Sequence, residues 1–264
     1  MNQLEKNIRK WQKKPSERRK DGVFIVEGIK MIGELPRERL KAVVASDSFM
    51  KENRFRISEL REYCEKKKKL PFQVISDTDY ALLSDTKSPQ GILAVLKAFD
   101  YTAEEILSDR EGCFVLLENL QDPGNLGTIM RSAEAAGIDG IILNENCVDC
   151  YNPKVIRATM GSFFRMKFAV VPDLAEVVQY IKNAGGKSFA AHLRGQISYD
   201  KADYTGMTAI LIGNESKGLS DSLSAEAGEL VRIPMQGKVE SLNAAMAATI
   251  LMFEAMRQRR NSDE

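Results

Sequence analysis

The sequence predicts an α/β protein in two parts: a small α/β unit over residues 1–98, a linker over 99–112, and a mainly parallel sheet flanked by helices over 113–264. Three observations carry this. In the second half, short unbroken apolar runs alternate with stretches of helical spacing, as expected of strands covered on both faces by helices. The charge is divided between the halves. Residues 1–98 hold 22 Lys/Arg against 14 Asp/Glu, a net +8, and residues 99–264 hold 16 against 23, a net −7, behind a formal total of +1. Finally, 264 residues suit two modest domains.

In the first part, Val43–Ala45 reads as a buried strand, Ile57 to Lys68 as a helix, and Phe72–Ile75 as a strand. Ile92–Leu96 is a further strand after the turn Ser88-Pro89-Gln90-Gly91. The acidic stretch 99–112 is the linker, with room for one helical turn. Cys113–Leu117 opens the sheet, and 121–125 is a loop. Leu126, Ile129, Ala133 and Ala136 have helical spacing, and Gly137 stops that helix. Ile141–Leu143 is the next strand. A helix at 174–182 follows, then strands at 188–193, 209–212 and ending near Ile233, and a final helix over 242–259. On that helix, Leu242, Met246, Ile250 and Phe253 have the spacing of one buried face.

Composition excludes several classes. Hydrophobic residues are 44% and charged residues 28%, ordinary globular chemistry. No apolar run approaches the roughly 20 residues of a membrane span, and the N-terminus, charged from Glu5, is not expected to be a secretory signal. Four cysteines in a chain of this length fit a reducing, cytoplasmic setting. Cys147 and Cys150 form a single CxxC and His192 is the only histidine. A tetrahedral zinc site lacks ligands, so the thiols are read as structural and no metal is expected.

Ligands in open parallel sheets bind at the carboxyl ends of the strands, which directs attention to the loops there. Three are unusual: 118–125, with Arg131 in the helix beyond; Gly213-Asn214-Glu215-Ser216-Lys217-Gly218; and 233–243. Any one alone is explained by turn and cap chemistry, Ser241 before Leu242 being a good N-cap. None is a Walker phosphate loop or a Gly-x-Gly-x-x-Gly fingerprint.

Together they read Asn119-x5-Asn125-x5-Arg131, Gly213-x-Glu215-x2-Gly218 and Ile233-Pro234-x2-Gly237-x3-Ser241-Leu242-Asn243. This combination resembles the SPOUT superfamily of RNA methyltransferases, in its SpoU/TrmH branch of 2′-O-ribose methyltransferases. The stretch Tyr151–Gly161 is similar to the family's segment between the first two motifs, and Arg18–Gly28 resembles the start of a ribosomal-protein-like substrate-binding domain. Asn214 and Ser216 depart from the small residues common beside Glu215, and Thr159 stands where serine is common.

The resemblance implies a trefoil-knotted catalytic domain that binds S-adenosyl-L-methionine and methylates a ribose 2′-hydroxyl of structured RNA, ribosomal RNA first and transfer RNA second. It implies contacts to the cofactor from Gly213, Ile233 and Leu242, with Leu193 and Met235 nearby. Arg131, Asn125, Glu215, Ser241 and Asn243 carry the catalytic site, Arg131 at the reacting hydroxyl. It also implies a homodimer packed through the terminal helix. The rival reading is a non-catalytic RNA-binding or ribosome-assembly factor on the same fold. For RNA contact the first candidates are Arg9, Lys10, Lys13, Lys14, Arg18 and Arg19, a basic run around Trp11. A solvated helix face with Trp11 packed on the core explains that run equally well.

Overall fold

The computed structural model describes residues 2–262. The chain divides into two compact units, residues 1–99 with 149–164, and residues 100–148 with 165–264.

The first unit is built on four strands, β1 (Val23–Glu27), β2 (Leu40–Ser46), β3 (Phe72–Ile75) and β4 (Ile92–Lys97), in the order β1-β4-β2-β3. β4 pairs antiparallel with both β1 and β2, and β3 is parallel to β2. Every residue of β1 is buried, which requires cover on both faces. Alternate side chains leave a strand on opposite sides. Val23 and Ile25 enter a core with Ile8 and Trp11 from the first helix, Gln3–Lys13. Phe24 belongs to a ring cluster instead, 5.1 Å from Tyr151 and 5.4 Å from Phe163. That aromatic packing explains why 149–164, read from sequence as part of the catalytic half, groups with the first unit. The Tyr151 hydroxyl also bridges the backbone of Phe99, accepting from its N–H at 2.7 Å and donating to its carbonyl at 3.0 Å.

Two polar groups lock this unit. Glu27 is buried and accepts from the Tyr80 hydroxyl, the Ser84 hydroxyl and the Gln90 N–H. Gly28, at φ +103°, then turns the chain into the next helix. Arg18 is the second. Expected among the RNA-binding cations, it is 3% exposed, paired with Asp149 and donating to the carbonyls of Trp11 and Gln12. Trp11 is likewise core, its Nε1 donating to Asp21 at 2.7 Å. The basic run folds as two helices, Gln3–Lys13 and Pro15–Asp21. Lys10, Lys13, Lys14 and Arg19 stay exposed, Arg9 is half-buried, and Lys10 pairs with Glu17 at 2.7 Å.

The second unit is a seven-stranded, all-parallel sheet. Its strands are β5 (Cys113–Leu117), β6 (Gly140–Asn144), β7 (Phe168–Val171), β8 (Lys187–Ala191), β9 (Ile197–Ser198), β10 (Thr208–Ile212) and β11 (Glu229–Arg232), ordered β7-β6-β5-β10-β8-β11-β9. Central β5 and β10 are buried throughout, and the flanking β7 and β11 only in part. Helices Pro123–Ala135, Leu174–Asn183 and Ala244–Ser262 serve this unit.

The terminal helix corrects the expected burial. Its inward face is Ala244, Ala245, Ala248, Leu251, Met252 and Ala255. Met246 and Phe253 are 51% and 39% exposed, and Ile250 is half-buried. Small side chains let this helix approach helix Pro123–Ala135 closely, where Thr249 donates to Ser132 at 2.9 Å. Alanine carries little apolar signal, so periodicity selected the larger residues of the outer face.

Arg18→Ala should destabilise the first unit by about 3 kcal/mol, because it leaves Asp149 and two carbonyls without their donor. Arg19→Ala, one residue along and exposed, should stay within about 0.5 kcal/mol. Denaturant midpoints of the two variants check the contrast.

Candidate active site

β5 and β10 pair in the centre of the sheet, Leu117 opposite Ile212, although four strands separate them in sequence. Chain order runs away from this pair in both directions, the switch point at which parallel sheets open a ligand crevice. The loops that leave β5 and β10 therefore meet.

The loop after β10 is closed on itself. Asn214 and Gly218 exchange backbone hydrogen bonds at 3.0 and 2.9 Å, with Gly218 at φ +70°. This brings Gly218 and Leu219 against Gly213, where an added Cβ would lie 2.1 Å from backbone atoms of both. Only glycine fits at 213. The Asn214 amide accepts from the N–H groups of Ser216 and Lys217 and donates to the Asn119 carbonyl at 2.8 Å. Its departure from the small residues usual there adds a tie to the neighbouring loop.

Glu215 makes the main connection. Its carboxylate accepts from the Gln121 N–H at 3.1 Å, the Asp122 N–H at 2.9 Å and the Asn125 amide at 3.0 Å. Partial burial opposes ionisation, but the bonds from Asn125, Asp122 and Gln121 together hold Glu215 below the usual carboxylate range. An ionised group accepting three bonds is a positioning element, poorly suited to accept a proton as a base.

Asn125 passes the connection on. Asp122 caps its helix by accepting from the Asn125 N–H at 2.8 Å, and the Asn125 side-chain oxygen Oδ1 accepts from the Asn243 amide at 2.9 Å. Asn243 also caps the terminal helix, accepting from Ala245 and Met246 N–H. Ser241, read from sequence as that cap, lies outside the helix and is exposed, because the helix begins at Ala244.

Asn125, Glu215 and Asn243 are thus joined directly. Arg131 is exposed farther along helix Pro123–Ala135. Among the described residues, neither its side chain nor that of Ser241 has a hydrogen-bond partner. Gly213 is buried, Ile233, Met235 and Leu242 are half-buried, and Leu193 is 62% exposed.

Other residues of this edge, several of them inside the loops singled out from sequence, were given no role there. Asn119, at φ +54°, exchanges two 2.9 Å bonds with Asn144, which ends β6. Glu118 is buried and accepts from the Ser220 N–H and hydroxyl. A cleft of about 610 Å³ opens here, lined by Asn119, Gln121, His192, Arg194, Asn214 and Lys217 among others. The signal available was position: apart from Asn144, which ends β6, these residues lie in the loops that follow β5, β8 and β10. Cys147 donates to the Leu117 carbonyl, and burial pushes its thiol up to about 11. All four cysteines are free, and the described residues contain no metal-ligating cluster.

The profile of the SpoU rRNA Methylase family matches residues 112–253 and so spans this whole arrangement. The chain belongs to the SpoU rRNA Methylase family. A second profile, the MRM3-like substrate binding domain, matches residues 2–94. The 23S rRNA (guanosine(2553)-2'-O)-methyltransferase RlmP of Bacillus subtilis is 29% identical over 93% of this chain and 94% of its own. An AdoMet-bound rRNA methyltransferase from Sinorhizobium meliloti superposes with a TM-score of 0.85 at 30% identity, covering 97% and 95% of the two chains. The SpoU methyltransferase AviRb from Streptomyces viridochromogenes, in complex with AdoMet, gives 0.85 at 28% identity over 99% of each. The Gly213 constraint and the Glu215–Asn125–Asn243 chain thus lie within the matched region.

Because the folded Glu215 titrates below its unfolded value, it contributes stability at pH above the unfolded value of about 4.3, and this is lost as pH falls through the folded value. Glu215→Gln should remove that part of the acid dependence and, at neutral pH, cost on the order of 1 kcal/mol for an exposed group. Denaturation midpoints of both proteins between pH 3 and 7 read the difference.

Proposed function

We propose that this chain transfers a methyl group from S-adenosyl-L-methionine to a ribose 2′-hydroxyl of large-subunit ribosomal RNA. The observation that carries this reading is the Glu215–Asn125–Asn243 connection at the β5/β10 switch point, with exposed Arg131 on the helix it anchors. The match to RlmP along nearly the whole chain supports ribosomal RNA as the substrate.

The residues fit the cofactor. Gly213 lets its loop close tightly on Gly218 and Leu219, and half-buried Ile233, Met235 and Leu242 offer the apolar lining that an adenine takes, with backbone groups for its polar edge. When bound, S-adenosyl-L-methionine supplies an already activated methyl group. The protein's task is to align a weak nucleophile and make it stronger. Arg131 grips the phosphate beside the reacting ribose and lowers the hydroxyl pKa through its charge. Asn125 and Glu215 hold the start of its helix. A close backbone crossing at Gly195, where an added Cβ would lie 2.6 Å from Val231, supports the threaded knot of the family.

The first unit holds the RNA through Lys10, Lys13, Lys14 and Arg19, with half-buried Arg9 beside them, in a cytoplasmic protein. No helix among the described residues is long and apolar enough to cross a membrane. A second copy packs on the stripe Met246, Ile250 and Phe253, whose exposure on a terminal helix supports a homodimer.

Arg131→Ala should abolish methyl transfer to ribosomal RNA while calorimetry finds cofactor affinity near that of the parent; retained turnover with labelled cofactor sinks the role. Replacing Met246 and Phe253 with Glu should shift the protein to monomer in analytical ultracentrifugation, and an unchanged mass would count against the stripe.

A further inference from the structure

The helix Asp47–Asn53 and the helix Ser58–Glu62 are joined by the turn Arg54-Phe55-Arg56-Ile57. Phe55 is 92% exposed, more than any other large hydrophobic among the described residues. Lone exposed hydrophobics are common, so exposure alone decides nothing. The surroundings do.

Arg54 and Arg56 flank Phe55 in sequence and are both exposed. Four other arginines of this unit are engaged: Arg18 with Asp149, Arg37 with Glu59, Arg61 with Glu65, and Arg39 with the Ala98 carbonyl. Among the described residues neither Arg54 nor Arg56 has an ion-pair partner. Over residues 51–57 there are three cations, Lys51, Arg54 and Arg56, and one acid, Glu52.

The turn is also held in place. Ile57 is 2% exposed, and its N–H donates to the Asn53 carbonyl. The Ser58 hydroxyl donates to the Phe55 carbonyl at 2.8 Å, and the Asn53 amide to the Phe49 carbonyl at 3.2 Å. A ring presented from a fixed backbone loses little freedom on binding. An exposed aromatic between two exposed arginines in one turn matches an unpaired base flanked by two phosphates.

We propose that Arg54-Phe55-Arg56 is an RNA-docking tip: Phe55 stacks on an unpaired base of the substrate while Arg54 and Arg56 bind the adjoining phosphates. This rests on the reading of the chain as an RNA methyltransferase and names a contact surface for it. It differs from the basic N-terminal helices, whose aromatic, Trp11, is committed to the core.

The test uses full-length protein and protein-free large-subunit rRNA. Affinity is measured across a salt series for the parent, Phe55→Ala, Phe55→Trp and the double variant Arg54→Ala/Arg56→Ala. Cofactor affinity and thermal midpoint are measured alongside. Phe55→Ala should weaken rRNA binding about tenfold, and Phe55→Trp should keep it. The double variant should lower the slope of log affinity against log salt by about 1.5. All three should bind cofactor and melt like the parent. Phe55→Ala binding rRNA as tightly as the parent, on RNA that the parent methylates, would overturn the proposal. So would weakened binding to ribosomal particles with unchanged binding to protein-free rRNA, which assigns the tip to a protein partner. A parent that neither binds nor methylates RNA would overturn the underlying activity as well.

Discussion

The carboxylate of Glu215 accepts from two backbone N–H groups and one side-chain amide of the loop that leaves β5, while its own backbone leaves β10. Two loops far apart in sequence are fastened where the sheet places their strands side by side. The Asn125 helix, its partner Asn243 and the start of the terminal helix take their positions from this joint. Charge-assisted bonds suit the purpose, being about twice as strong as neutral ones and directional. The hydrogen bonds that keep Glu215 ionised are the ones that fix the loop, so its low proton affinity and its structural role have one cause.

The same reasoning separates the charged residues of the first unit. Arg18 and Arg19 are neighbours in sequence with opposite fates, one buried against Asp149 and one in solvent. Helical spacing turns adjacent residues about 100° apart, so a basic run cannot present all its charges to one ligand. The net +8 of residues 1–98 is therefore an upper measure of what RNA meets. The exposed tip at Arg54–Arg56 shows that usable charge also lies outside the densest run.

Most of the catalytic unit was legible in the chain itself. Cys113–Leu117 and the core of β10 read as buried strands because both faces of a central parallel strand are apolar. The three loops stood out because glycine, asparagine and proline cluster after strands. Harder were β1, whose face-to-face burial depends on a segment more than a hundred residues away, and the terminal helix, whose alanine face is invisible to hydropathy.

Residue order and spacing alone determined the α/β class, the strand ends that carry the site, and the family resemblance, because these depend on local periodicity and short motifs. The tertiary structure alone decided which residues touch. Asn125, Glu215 and Asn243 become one hydrogen-bonded chain only when β10 inserts beside β5. Segment 149–164 joins the first unit only because Phe24 needs partners on its outer face. Arg18 is removed from the surface only because a carboxylate distant in sequence arrives to neutralise it. Each of these outcomes turns on a long-range pairing of polar or aromatic groups, which no local pattern encodes.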